Sequence, residues 1–152
     1  MDNIAPFSDI ITAHVEDNKP MLGICLGLQL LFESSEETNN INGLGLMNGT
    51  VKRFNLDNGY KIPHMGWNQI KINDTDSNNV SILEGTDNEY MYFVHSYYIN
   101  PSVEEYVTAY TDYGMNVPVA IGKDNLFALQ FHPEKSGKAG LKILNNFVNL
   151  ID

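Results

Sequence analysis

The apolar positions of this chain change period several times, and each change marks an element. Phe7, Ile10, Ile11, His14 and Val15 share a face at helical spacing, with Pro6 tolerable near the first turn, until Asp17-Asn18 breaks the pattern. Met21, Leu22 and Ile24 follow Pro20 as an apolar run too short for a helix, which predicts a buried strand. From Leu26 the spacing is helical again: Leu26, Leu30 and Leu31 share a face that Leu28 and Phe32 extend. A strand thus turns into a helix at Cys25. Ser34 to Asn42 is polar and acidic and reads as a loop, and Gly43 to Arg53 reads as a turn and then a strand. Asn58-Gly59 is a hairpin signal, after which Tyr60 and Ile62 resume a strand pattern. Pro63 to Asn68 interrupts that strand, which reopens over Gln69 to Ile72 and runs into a polar loop, Asn73 to Asn79.

Tyr90 to Val94 is a compact aromatic strand ending in His95-Ser96-Tyr97-Tyr98. Val103 to Tyr110 and Val117 to Ile121 supply two more strands around a turn at Asp112 to Gly114, and Leu126 to Phe131 is an apolar strand leading into His132-Pro133-Glu134. From Ser136 onward Leu141, Leu144, Phe147, Val148 and Ile151 recur at helical spacing. Helices flank the ends and strands fill the middle, which predicts an α/β domain whose sheet carries antiparallel additions.

At 152 residues the chain makes one domain, 1–152. A single cysteine excludes a disulfide framework, and no apolar run reaches membrane-spanning length, so a soluble, cytoplasmic protein is expected, with no membrane partner. The net charge of -10, with nine basic residues, argues against nucleic acid as a partner, since phosphate contacts need clustered Lys and Arg.

The chemistry gathers at the period switch. Gly23-Ile24-Cys25-Leu26-Gly27 has the G-x-nucleophile-x-G form of a strand-to-helix elbow, with Cys where Ser is more familiar. Glycines on both sides allow a sharp bend and close approach of a substrate, and a thiol at a helix N-terminus is favoured as thiolate. A lone cysteine is otherwise a small core hydrophobe; the flanking glycines and the strand-to-helix switch favour a nucleophile. His132 follows an apolar strand, with Pro133 stiffening the step to Glu134, so a base and an orienting carboxylate leave one strand end together. Such a pair alone is most simply a surface feature; beside the elbow it completes a triad. His95 is the competing base, but no carboxylate lies two residues beyond it, and His14 reads as a residue flanking the apolar stripe.

Gly23 to Gln29, G-I-C-L-G-L-Q, and Gln130 to Ser136, Q-F-H-P-E-K-S, resemble the class I, triad-type glutamine amidotransferases. Pro63 to Asn68, P-H-M-G-W-N, Phe93 to Tyr97, F-V-H-S-Y, and the final E-K-S narrow the likeness to glutaminase subunits of imidazole glycerol phosphate synthase, in histidine biosynthesis. The resemblance implies a flavodoxin-like three-layer fold with a mixed central sheet. It assigns Cys25 as nucleophile, His132 as general base then acid, Glu134 as the group orienting His132, and the Leu26 amide as an oxyanion donor. L-Glutamine is the implied substrate, its amino-acid end held by Gln29 and by Ser96 and Tyr97, and no cofactor or metal is implied. The implied partner is the cyclase, a (β/α)8-barrel subunit that receives the ammonia, with His64, Met65, Trp67 and Lys135 as interface candidates. A Trp on a protruding turn suits an interface anchor.

One departure bears on activity. Members of the family begin with a strand, a helix, a second strand and a P-G-V-G-like loop before the helix that opens this sequence. The expectation is therefore an N-terminally shortened domain, with unpaired sheet edge and without the loop's second oxyanion donor, a donor typically worth about 10²–10³ in kcat. Two other readings stay open: a non-catalytic relative that binds the synthase, and a Cys-His hydrolase acting on another substrate such as a peptide. A glutaminase of another amidotransferase, serving anthranilate or guanylate synthesis, is disfavoured by P-H-M-G-W-N.

Overall fold

The strand before His132 is the middle of the molecule. In the computed structural model, which describes residues 4–38, 42–57, 59–73 and 81–151, the strand Leu126–Leu129 is buried at every position. It has strands on both edges and packed layers on both faces, which is why its sequence is continuously apolar rather than alternating. Counting strands in chain order this is β9, and on one edge it pairs in parallel with β1 (Met21–Ile24), Ile24 opposite Leu129. On its other edge lies β8 (Asn116–Lys123), antiparallel, followed by β7 (Val107–Asp112), β4 (His64–Ile72) and β5 (Tyr90–His95), all antiparallel. The six-stranded order is β1-β9-β8-β7-β4-β5.

A second sheet of three strands is formed by β2 (Phe32–Ser35), β3 (Met47–Arg53) and β6 (Tyr97–Pro101), with β2 parallel and β6 antiparallel to β3. Helix α1 (Ser8–Glu16) precedes β1, α2 (Leu26–Leu30) follows it, and α3 (Gly137–Val148) closes the chain. Alternation along β9 divides the core in two. Phe127 and Leu129, with Phe131 beyond them, join Ile70, Met91, Phe93 and Ile143 of α3 in one cluster. Leu126 and Ala128 face the other way and join Leu28, Phe32, Met47, Val51 and Ile99 between the two sheets.

The structure departs from the sequence reading at several elements. The helix after Cys25 stops at Leu30, and Phe32 to Ser35, predicted as its end and the start of a loop, is β2. Phe32 keeps its buried place but reaches it as a strand residue paired with Met47. Pro63 to Asn68 is no interruption: from His64 the segment belongs to one continuous strand through Ile72, whereas Tyr60 and Ile62 are exposed and outside any strand. Tyr97 to Pro101, whose first two residues read as the end of the preceding strand, is a separate strand, β6, and Glu104–Tyr106 is a 3-10 turn ahead of β7 rather than strand. The helical face expected on α1 carries no fully buried residue, and Phe7 and Ile10 are exposed. Asn58 of the hairpin signal, the loop from 74 to 79, and residues 39–41 lie outside the described residues.

Candidate active site

Cys25 stands between β1 and α2 with φ 52° and ψ -102°, a conformation that a residue with a Cβ rarely adopts. The bend is therefore taken by the cysteine itself, while the two glycines serve different ends. A Cβ on Gly23 would lie 3.0 Å from the Gly27 carbonyl and 3.2 Å from Ala128 Cβ, so Gly23 lets the elbow fold back onto β9. A Cβ on Gly27 would meet nothing within 4 Å, so no close approach requires a glycine there. The Cys25 amide donates to the Leu129 carbonyl at 2.7 Å, extending the β1–β9 pairing by one step and fixing the cysteine against the end of β9.

Beyond that end the chain continues as Gln130, Phe131 and His132. His132 Nδ1 is 2.8 Å from Glu134 Oε1. An ionised carboxylate only accepts, so the ring proton sits on Nδ1 and, in the neutral imidazole, Nε2 carries the lone pair. Nε2 is buried and is the one buried side-chain polar atom without a hydrogen-bond partner among the described residues. That unengaged nitrogen is what a general base requires. The turn is anchored from behind: the His132 amide donates to the Tyr92 carbonyl at 3.0 Å, and Ser136 Oγ donates to the His132 carbonyl at 2.6 Å while accepting from the Tyr92 amide at 2.9 Å.

Burial pushes the Cys25 thiol above the ordinary thiol range. The Leu26 amide and the Gln130 side chain pull the other way by hydrogen bonding, and the Glu134 carboxylate adds to the upward push while Lys135 opposes it. The sequence predicts a thiolate favoured by the helix N-terminus; in the structure desolvation outweighs that influence and favours the thiol.

Gln29, one turn along α2, lines a cavity of about 410 Å³ together with Leu26, Leu30, Ser34 and Glu37. Its Nε2 donates to the Tyr97 carbonyl at 3.1 Å and to Gln130 Oε1 at 3.0 Å, which leaves Oε1 for anything in the cavity. Ser96 and Tyr97 form the corner at which the chain passes from β5 to β6. Of the four interface candidates, Met65 and Trp67 are 63% and 55% exposed on one face of β4, and Lys135 is exposed beside Glu134. His64 is not with them. It is 2% exposed, points to the opposite face, and stacks between Phe93 and Tyr113 at centroid distances of 4.7 and 3.8 Å, because strand alternation turns it inward when its neighbour Met65 turns out. His95 is also buried, hydrogen-bonded to Tyr97 and His64, and His14 Nε2 bonds the Pro20 carbonyl at 3.1 Å. Sequence reasoning gave no role to Gln130 or Ser136; both lie inside the Q-F-H-P-E-K-S motif, and only the buried polar character of Gln130 in an apolar run hints at one.

Cys25 follows β1 and the carboxylate-held His132 lies three residues beyond its parallel neighbour β9, the layout of a candidate cysteine-dependent site, and residues 3–150 match the family model described as glutamine amidotransferase class-I. The chain belongs to that family. It is 51% identical over 152 residues to the imidazole glycerol phosphate synthase subunit HisH of Methanocaldococcus jannaschii, covering 99% of this chain and 74% of that protein. It is 49% identical over 151 residues to the subunit of the same name from Methanothermobacter thermautotrophicus, covering 99% and 73%. Among solved structures, PurLQS from Thermotoga maritima superposes with a TM-score of 0.71 at 19% identity over 96% of this chain and 68% of that one, a likeness of fold.

Proposed function

We infer that the chain is the glutaminase subunit of imidazole glycerol phosphate synthase, hydrolysing L-glutamine to glutamate and ammonia. The observation that carries this is an elbow thiol after β1 and a His132–Glu134 pair just past its parallel neighbour β9, in a chain about half identical to HisH subunits. In this reading His132 Nε2 takes the Cys25 proton as the sulfur attacks the side-chain amide carbon of glutamine. The oxyanion of the tetrahedral intermediate accepts from the Leu26 amide, which as the first helical residue has no intrahelical acceptor. Collapse breaks the C–N bond, the proton on His132 passes to the leaving nitrogen, and ammonia departs from a thioester. Water, deprotonated by the same imidazole, then releases glutamate and restores the thiol. Gln29, bonded to the Tyr97 carbonyl, and the Ser96–Tyr97 corner hold the amino-acid end of the substrate in this reading.

Ammonia made here serves a synthase that consumes it. The (β/α)8-barrel cyclase is the proposed partner in a heterodimer, and the exposed Met65 and Trp67 with Lys135 are its proposed contact. A cytoplasmic place of action accompanies the reading, since the nucleophile is a free thiol.

Mass spectrometry after incubation with 6-diazo-5-oxo-L-norleucine, an electrophilic glutamine analogue, tests the assignment on the chain mixed with the barrel subunit. One adduct on Cys25, together with glutamate release that Cys25→Ala abolishes, is the expected result. Association with the barrel without adduct or glutamate would instead make this a non-catalytic binding relative. Peptide cleavage without glutamine hydrolysis would make it a different hydrolase.

A further inference from the structure

Three of the buried polar side chains among the described residues, His64, His95 and Gln130, lie on linked hydrogen bonds that lead to the elbow. Buried polar atoms need partners, and here the partners form one string. Its directions are set by a group that can only accept, the Tyr97 carbonyl, which takes His95 Nδ1–H at 2.8 Å and Gln29 Nε2–H at 3.1 Å. Burial holds both imidazoles neutral, each with its pKa lowered to about 4. With its proton on Nδ1, His95 must accept at Nε2, and it does so from His64 Nδ1 at 3.1 Å. His64 Nε2 in turn accepts from Asn68 Nδ2 at 3.3 Å, and the other Asn68 amide proton goes to the Asp112 carbonyl at 2.8 Å.

On the other side of Tyr97, Gln29 spends its second amide proton on Gln130 Oε1 at 3.0 Å. Gln130 then has no choice of orientation: its oxygen is held by Gln29, so its Nε2–H is aimed at Cys25 Sγ, 3.8 Å away. The string runs from β4 through the β5–β6 corner to the elbow, Asn68 to His64 to His95 to the Tyr97 carbonyl, and from Gln29 through Gln130 to the sulfur.

We propose that His64, His95 and Gln130 are positioning residues for the nucleophile, holding the Tyr97 carbonyl and, through Gln29, the Gln130 amide so that a hydrogen-bond donor faces Cys25 Sγ. This rests on Cys25 being the nucleophile. The donor favours the anionic sulfur as it forms and opposes the burial that keeps the thiol protonated. His95 closes the Ser96 corner over two residues, which keeps the Tyr97 carbonyl turned toward α2.

Because Cys25 is the only cysteine, its alkylation by iodoacetamide can be followed by mass over a pH series on the full chain, with thermal unfolding recorded alongside. Gln130→Glu keeps the acceptor that Gln29 needs and replaces the donor by a carboxylate oxygen. His95→Leu removes the donor to Tyr97, whereas His95→Asn places an amide N–H where Nδ1–H stood. The expected result is an alkylation midpoint raised by about one pH unit in Gln130→Glu and His95→Leu, and unmoved in His95→Asn. Folded Gln130→Glu titrating like the unmodified chain overturns the proposal; so does His95→Asn shifting as far as His95→Leu. If His95→Leu does not fold, Gln130→Glu and His95→Asn decide. Unmodified chain that takes up no glutamine-analogue label sinks the nucleophile assignment, while a labelled chain with unmoved midpoints sinks only the positioning role.

Discussion

Glu134 acts on both partners of the site, and the two actions oppose each other. Its hydrogen bond sets the His132 ring so that Nε2 carries the lone pair, while its charge raises the thiol pKa and makes the sulfur harder to ionise. Neutralising it therefore separates thiol acidity from catalysis. For Glu134→Gln the alkylation midpoint of Cys25 is expected to fall, because an upward push is removed. Glutamine turnover should drop by roughly 10²–10⁴, since an amide no longer fixes the ring tautomer. Lys135 opposes Glu134 at the sulfur, so Lys135→Met moves the same midpoint upward. Comparing the pH dependence of iodoacetamide alkylation with steady-state glutaminase rates in the three proteins checks all of this; a midpoint that rises in Glu134→Gln contradicts it. The candidate residues could be picked out in the sequence because each sits inside a contiguous motif at the end of an apolar strand. The raised thiol pKa was not, because it depends on how much of the sulfur the fold covers.

The elements show the same division between local and distant causes. Strands with period-two or continuous apolar character, such as β5 and β9, and the helix α3 stand in the structure within a few residues of where the pattern puts them. P-H-M-G-W-N reads as a break because it contains Pro63 and Gly66, yet Gly66 at φ 127° continues β4, which is held on one side by β5 and further on by β7. β6 is hidden for a related reason: Tyr97 to Pro101 pairs with β3, some fifty residues earlier, and only that pairing makes it a strand. Two predictions belong at this scale. Helix α3 presses Gly140 against the Pro133–Lys135 turn, where a Cβ would come within 2.0 Å of the Pro133 carbonyl. Gly140→Ala must therefore push α3 away from the turn holding His132, at a cost of about 1–3 kcal/mol in urea unfolding and with lower glutaminase activity. The exposed side of β4 behaves oppositely. Trp67→Ala should leave urea stability within about 0.5 kcal/mol and, if the proposed barrel partner docks on this face, weaken its binding by about 2 kcal/mol or more in calorimetry.

Across the whole molecule, the two apolar clusters are separated by β9, and the buried histidines tie the far sheet edge to the elbow, so acid should act on the fold through them. Both imidazoles have their pKa lowered to about 4 by burial, His95 also feeling His132 and His64 feeling His95, against about 6.5 for an unfolded histidine. Between those two values the unfolded chain binds protons that the folded chain refuses. Stability from this source is thus complete above about pH 6.5 and is lost as the pH falls toward 4, with a slope of at most about 1.4 kcal/mol per pH unit for each ring. His64→Asn keeps a donor toward His95 but removes one titrating ring. Urea unfolding free energies measured from pH 7 to 5 should therefore fall less steeply in His64→Asn than in the unmodified chain, even where its stability at pH 7 is lower. Parallel slopes in the two proteins would mean that this ring titrates in the folded state as it does in the unfolded one, which its place between Phe93 and Tyr113 forbids.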